Sequence, residues 1–284
     1  MNEMMERHTS FKIGGPVDIM VLPASIEELK HTIVVCRNYG IPYYIIGNGS
    51  NLLVRDKGIR GVVIKIADNF SHAEITDNLV TAQGGILLST LSKKVMAASL
   101  EGFEFASGIP GTLGGAIAMN AGAYGGEMKE VIKGATLMDA DGKVFYLDKE
   151  ELELSYRNSI VLKKGYIVLS AEILLQAGDY ETIRENTKNL TEKRTSKQPL
   201  HLPSAGSAFK RPPGYFAGKL IEDSGLKGVR VGDAQVSELH SGFIVNIGKA
   251  SAEDVLNLIG LVQKVVRDKF GVELHPEVRI IGEV

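Results

Sequence analysis

The chain has 284 residues, 44% of them hydrophobic and 23% charged, with a net charge of −2 and one cysteine. That is the profile of a globular protein with a real core, long enough for two ordinary domains or one large one. It excludes a basic field for gripping nucleic acid, an internal disulfide framework and, with no run near the roughly 18 apolar residues of a membrane span and no apolar signal core at the start, a membrane or secreted protein, so a soluble cytoplasmic chain is expected.

Residues 17–23 (VDIMVLP) read as a strand. Ser25 and Glu28 carry the spacing of a capping box, and Leu29, Ile33 and Cys36 repeat at helical spacing until Gly40 and Pro42 stop the helix. Cys36 suits a small buried filler there. Residues 43–47 (YYIIG) are a buried strand, so the chain opens β-α-β. A glycine-rich turn follows (GNGSNLLVRD, residues 47–56). A dinucleotide fingerprint would start a helix at this turn, yet LLV and GVVIKI are strand sequences. The turn therefore joins two strands, and any phosphate it holds is held by a nest of backbone N–H groups; a plain tight turn is the alternative.

Residues 79–111 give a strand, a turn and a helix from near Ser89 to Gly102. Then comes GIPGTLGGAIAMNAGAYG, residues 108–125, with six glycines and no charge. Short strands follow at GATLMD, KVFYL and YIVLSAEILL, then a polar helical run over residues 179–197, and a helix over residues 215–224. GFIVNI is a strand. Ser251 and Asp254 cap a last helix whose stripe is Val255, Leu258, Val262, Val265 and Val266 and whose stop is Gly271. PEVRIIG closes the chain as a strand. The fold class is α+β. Residues 1–178 form the first domain, divided at about residue 67, residues 179–194 a crossover helix, and residues 195–284 the second domain.

Glycine lets a ligand approach the backbone without a Cβ in the way, and it also lets segments of the protein pack closely; composition leaves both uses open for the two glycine loops. Two such loops can close around a long polyanionic cofactor with a flat ring, the first wrapping a pyrophosphate. The second then offers neutral main chain to the ring, its walls kept low by Ala116, Ala118, Ala121 and Ala123.

HTSFKIGG, GNGSNLL, the glycine stretch, YRNS (residues 156–159), SAGSAFKRP (residues 204–212) and PEVRIIG occur in one order along nearly the whole chain. In this the sequence resembles the UDP-N-acetylenolpyruvoylglucosamine reductases, and its spacing is similar to the short form that lacks an inserted tyrosine-bearing loop. The resemblance implies an FAD-binding domain of the vanillyl-alcohol oxidase type and a C-terminal substrate-binding domain. It implies FAD as cofactor, NADPH as co-substrate, and reduction of an enolpyruvyl ether of UDP-N-acetylglucosamine to UDP-N-acetylmuramate for peptidoglycan. The partners are then small molecules, with no nucleic acid or membrane, and the chain acts as a monomer.

Carried over residue by residue, the resemblance makes Arg157 the grip on the substrate carboxylate, Ser207 the proton donor and Glu277 a carboxyl that works as a neutral acid beside an enolate. Tyr156, Lys210, Arg211, Lys219 and His240 are candidate substrate contacts, the cations for the diphosphate. The FAD contacts are Gly47, Asn48, Gly49, Ser50 and Asn51 in the first loop, and Gly108, Pro110, Gly111, Gly114, Gly115, Ala118, Asn120 and Gly122 in the second. On residue type alone, Arg157 also suits a turn anchor, Glu277 a strand-edge partner of Arg279, and Ser207 a turn serine. No hydrolase elbow is present, since Phe209 stands where a second glycine would, and the six histidines show no metal-ligand spacing. An FAD-dependent alcohol or sugar oxidase of the same fold and a non-catalytic nucleotide-sugar binder are the competing readings.

Overall fold

In the computed structural model, which describes all 284 residues, the capping signatures begin helices as expected. Ser25 Oγ accepts the Glu28 N–H at 3.1 Å to open the helix Ile26–Asn38, while the Glu28 carboxylate reaches one residue further back, to the Ala24 N–H at 2.8 Å. That helix buries Leu29, Ile33 and Cys36 against Val62 and Ile64. Strand Pro16–Val21, this helix and strand Tyr43–Ile46 make the β-α-β opening, and Tyr43–Ile46 pairs in parallel with strand Ile59–Lys65, Tyr43 opposite Val62. Ser251 and Asp254 close a full capping box on the helix Ala252–Phe270, and Gly271 ends it at φ 66°.

The chain folds as two compact units. One comprises Met20–Asn48 and Val62–Arg194. Its five-stranded antiparallel sheet runs Val144–Asp148, Ile132–Met138, Ile167–Leu174, Leu79–Gln83, Ala73–Thr76. The core on this sheet gathers Val80, Leu91, Phe103, Leu113, Ile117 and Ile173.

The other unit comprises Met1–Ile19, Gly49–Gly61 and Thr195–Val284. Its four-stranded antiparallel sheet runs Ser204–Ser207, Phe243–Asn246, Ala234–Val236, Arg230–Val231. The helix Ala252–Phe270 buries Val255, Leu258, Val262 and Val266 in a core that also takes Phe11, Ile13 and Leu53 from early in the chain. Strand Leu52–Val54 pairs in parallel with Arg279–Ile281, and the Asp56 carboxylate accepts the N–H groups of Ala252 and Glu253 at 2.8 and 3.0 Å.

Three elements differ from expectation. The helix expected to reach Gly102 is Leu88–Ala97; Ser99 turns left-handed at φ 55° and Leu100–Glu101 leaves to pair with Gln176–Ala177. The helix expected over residues 215–224 is Ala217–Asp223. Inside the glycine stretch, Leu113–Ala118 forms a short helix. Thr112 caps it by accepting the Gly115 N–H at 3.4 Å, and Leu113, Ala116 and Ile117 bury its inner face. Glycine's low helix propensity hid this element; burial of one face outweighs it. The polar run is the helix Tyr180–Lys197, with Ile183 buried. No helix is long and apolar enough to cross a membrane.

Candidate active site

The first glycine loop begins where strand Tyr43–Ile46 ends. The backbone N–H groups of Asn48, Gly49 and Ser50 donate to no acceptor in the protein. Gly49 is buried and sits at φ 66°, with the space for a Cβ already taken by the His8 carbonyl oxygen, 2.0 Å away. Three successive unspent donors on a turn can receive an anion, and of the three residues Gly49 is buried, where an unpaired backbone N–H is rare in a native fold. The side chains of the loop brace it. Asn48 Nδ2 donates to the Pro110 carbonyl at 2.6 Å, tying the loop to the glycine stretch. Gly47 packs so closely on Thr112 that a Cβ would lie 2.3 Å from Thr112 Oγ1.

Glycines in and next to the stretch serve close packing. Gly47 and Gly114 permit segments to touch: a Cβ on Gly114 would meet the Gly84 carbonyl at 3.1 Å, where Gly114 donates its N–H at 2.7 Å. Gly115, on the outer face of the short helix, is exposed, and a Cβ there would meet only Thr112 Oγ1, at 3.5 Å. This is open, uncharged main chain, the surface a planar ring can approach. Asn120 is buried and spends its amide within the protein, donating to Glu127 Oε2 at 2.7 Å and accepting the Lys129 N–H at 2.9 Å, while its backbone N–H donates to the Ile117 carbonyl at 3.1 Å, so it orders the loop. Ala118 offers its carbonyl to Ser159 Oγ at 2.7 Å.

That last bond sets the place of Arg157. Ser159 is fully buried, and Ser155 and Asn158 exchange backbone bonds at 3.1 and 3.0 Å across a tight turn. The turn holds Arg157 at φ 54°, a conformation that costs a non-glycine residue roughly 1–2 kcal/mol and is found where structure over-determines it. The guanidinium lies 5.1 Å from the centroid of the exposed Tyr156 ring. The serine of YRNS had no role by sequence; its place directly after Tyr-Arg-Asn was the available signal.

Ser207 and Glu277 are brought together by backbone pairing. The Glu277 N–H donates to the Ala208 carbonyl at 2.8 Å, and Phe209 and Pro276 bridge the same two segments. Gly206, at φ 75°, sits in a bulge of strand Ser204–Ser207, where the register against Phe243–Asn246 shifts; bulges of this kind re-aim the next side chain. Ser207 Oγ makes no hydrogen bond with another protein group. Asn51 links this pair to the first glycine loop, since its Nδ2 donates to the Glu277 carbonyl at 3.2 Å and its own carbonyl accepts the Arg279 N–H at 2.9 Å. Sequence suggested a cofactor contact for Asn51 and missed this second duty.

The remaining candidates divide. Lys210 is half-buried, its N–H bonded to the His275 carbonyl at 2.8 Å and its ammonium unpaired. Arg211 stacks on Phe216, 3.9 Å from the ring centroid, and donates from Nε to the Tyr215 carbonyl at 3.3 Å. Lys219 is engaged with Asp223, so a diphosphate there would compete with a carboxylate already in place. His240 accepts the Gly242 N–H at Nδ1, 3.1 Å away, which leaves the ring proton on Nε2; burial pulls its pKa below the ordinary value, and the ring stands edge-on to Phe243. Gly242 in turn accepts the Ala208 N–H at 2.8 Å, so His240 and Ser207 share one backbone neighbourhood.

Comparison with known proteins bears on both glycine loops and on the Ser207–Glu277 segments. Residues 17–148 match the FAD binding domain family, and residues 198–281 match the family described as UDP-N-acetylenolpyruvoylglucosamine reductase, C-terminal domain. The chain is 65% identical to the UDP-N-acetylenolpyruvoylglucosamine reductase of Alkaliphilus oremlandii, over 100% of this chain and 93% of that one. It is 56% identical to the Clostridioides difficile protein of the same name over the same shares. Among solved structures, the reductase of Thermus caldophilus superposes with a TM-score of 0.84 at 35% identity, covering 98% of this chain and 97% of that one. A solvent-stable cholesterol oxidase shares the fold over 60% of this chain and 36% of its own, with a TM-score of 0.50 and 17% identity.

Proposed function

Because the chain belongs to the UDP-N-acetylenolpyruvoylglucosamine reductase family, we propose that it reduces the enolpyruvyl ether of UDP-N-acetylglucosamine to UDP-N-acetylmuramate, with FAD as cofactor and NADPH as hydride donor, and that the residues described above carry the reaction. FAD, when bound, relays a hydride from NADPH to the terminal vinyl carbon of the substrate. The unspent N–H groups of Asn48, Gly49 and Ser50 suit its pyrophosphate, and the open main chain at Gly115 suits its ring.

The residues of the chain then manage charge and a proton. Hydride arrival at the vinyl carbon leaves negative charge on the neighbouring carbon and its carboxylate. Arg157 holds that carboxylate with its planar fork, so the charge develops against a cation already in position. Ser207 gives its Oγ proton to the carbanionic carbon, completing the lactyl ether, and recovers a proton from solvent. Glu277 faces the same charge as an un-ionised acid, since a carboxylate there would repel it. Lys210 and Arg211 take the diphosphate. We place the reaction in the cytoplasm, a reducing compartment that suits a protein whose lone cysteine is a free, buried thiol.

One observation supports this reading: Asn51, which follows the unspent N–H groups directly in the chain, donates to the Glu277 carbonyl, and the Glu277 N–H donates to the carbonyl of Ala208, next to Ser207. The test is the visible spectrum of the purified protein under anaerobic conditions. NADPH bleaches the flavin bands and the enolpyruvyl substrate restores them; Ser207→Ala keeps the first step and loses the second. Reoxidation by air as fast as by the enolpyruvyl substrate would make the protein an oxidase instead, and equal loss of both steps in Ser207→Ala would remove the proton-donor role.

A further inference from the structure

Arg157 sits on a turn whose shape is fixed from within. The Ser155 and Asn158 N–H groups each donate to the other's carbonyl, and Asn158 Nδ2 donates to Ser155 Oγ at 3.4 Å. Those bonds close the turn without deciding where it stands. Ser159, directly after it, reaches out of the segment. It is fully buried; its hydroxyl donates to the Ala118 carbonyl at 2.7 Å, and its Oγ accepts the Leu162 N–H at 3.3 Å. Ala118 is the last residue of the helix Leu113–Ala118, and Leu162 lies in the first turn of the helix Ile160–Lys164. One hydroxyl therefore joins the carbonyl end of one helix to the N–H end of the next, satisfying a group that each helix leaves open.

The two sides of this joint are not equally held. The helix Leu113–Ala118 is fastened elsewhere: the Leu113 N–H donates to the Ile86 carbonyl at 2.9 Å, the Gly114 N–H donates to the Gly84 carbonyl at 2.7 Å, and Leu113 and Ile117 are fully buried. The turn from Ser155 to Asn158 is half-buried at most, and Arg157 adds the strain of its left-handed φ of 54°. Without the hydroxyl, the Ala118 carbonyl and the Leu162 N–H lose their partner in a site closed to water. The turn, as the less fastened side, is the one that moves.

We propose that Ser159 is a positioning residue: its hydroxyl sets the distance between the open main chain of the glycine stretch and the guanidinium of Arg157. The proposal rests on the family-based reading above, in which the first receives the flavin ring and the second the substrate carboxylate. With no exposed surface, Ser159 itself meets neither ligand. It acts through Arg157, so it governs the step in which charge develops on the substrate. A misplacement on the order of 1 Å there costs about a hundredfold in rate.

The test follows both half-reactions of the flavin-loaded protein by anaerobic stopped flow, in wild type, Ser159→Ala, Ser159→Cys and Ser25→Ala. Ser25 caps the helix Ile26–Asn38 with the same kind of bond, so Ser25→Ala reports the loss of a cap as such and keeps both rates within about twofold of wild type. Ser159→Ala keeps reduction by NADPH within about twofold and slows the limiting rate of reoxidation by the enolpyruvyl-UDP-sugar about tenfold to a hundredfold. Ser159→Cys keeps the side-chain shape with a weaker donor and gives a reoxidation rate between the two; it carries the same comparison if the alanine variant holds no flavin. In an Arg157→Met background, Ser159→Ala adds less than about twofold, because the residue it aims is gone. Reoxidation within about twofold of wild type, equal slowing of both half-reactions, the full factor repeated in the Arg157→Met background, or the same slowing in Ser25→Ala makes Ser159 a structural cap and overturns the proposal. Failure of the underlying reading shows in the wild type, as a protein that holds no flavin or that NADPH does not reduce, and the proposal falls with it.

Discussion

Gly49→Ala is the sharpest perturbation of the first loop. Two costs add there. The left-handed φ of 66° costs an alanine roughly 1–2 kcal/mol. The new Cβ would also lie 2.0 Å from the His8 carbonyl oxygen and 3.1 Å from Thr9 Cα. That backbone cannot simply retreat, because the Ser10 N–H is bonded to the Gly49 carbonyl at 3.2 Å and Thr9 Oγ1 to the Ile13 carbonyl at 2.9 Å. Forcing one carbon into such a site costs about 1–3 kcal/mol more. Gly206→Ala is the control: φ is 75° and nothing lies within 4 Å of the added carbon, so only the conformational part applies. Urea unfolding of flavin-free protein removes ligand linkage from the comparison. Gly49→Ala should lose about 2–5 kcal/mol and Gly206→Ala about 1–2 kcal/mol. Equal losses would mean that the loop yields freely and that glycine at position 49 answers to conformation alone.

Asn51→Ala should slow reoxidation by the enolpyruvyl substrate roughly tenfold to a hundredfold, the scale of an angstrom-sized misplacement of Glu277, while NADPH reduction, followed by stopped flow, changes little; equal slowing of both steps would deny Asn51 its positioning role. Asp56→Ala strips the cap from two N–H groups of the helix Ala252–Phe270 and should cost about 1 kcal/mol in urea unfolding, with the flavin spectrum unchanged. Burial holds the His240 pKa below its ordinary 6.5, so the folded ring binds fewer protons than the unfolded one. Its contribution to stability is complete above the unfolded value and is lost as pH falls through the lower folded value. Thermal melts across this window should therefore fall less steeply in His240→Asn, whose Oδ1 can replace Nδ1 as acceptor from Gly242, and matching slopes would refute the assignment.

Much of this architecture was legible in the residues because its signals are local. Ser251 and Asp254 announce a helix start three residues apart, and Val255, Leu258 and Val262 announce its buried side. What was illegible depends on partners remote in sequence. A glycine says that a Cβ is excluded, not what excludes it: His8 and Thr112 do so at Gly49 and Gly47, while a Cβ on Gly115 would make only an ordinary contact with Thr112 Oγ1. Asn51 advertised a turn; its hold on Glu277 appears only once Leu52–Val54 lies beside Arg279–Ile281.

The burial of Phe11 and Ile13 with residues 205–278 also has a consequence for biosynthesis. Residues 20–194 must leave the ribosome before the third segment of that unit begins to emerge. At roughly 5–20 residues per second, the two side chains wait on the order of ten to fifty seconds for the surface that will cover them. Over that interval Phe11 and Ile13 stay uncovered on the nascent polypeptide, and the unit they belong to cannot close its core until synthesis is nearly finished.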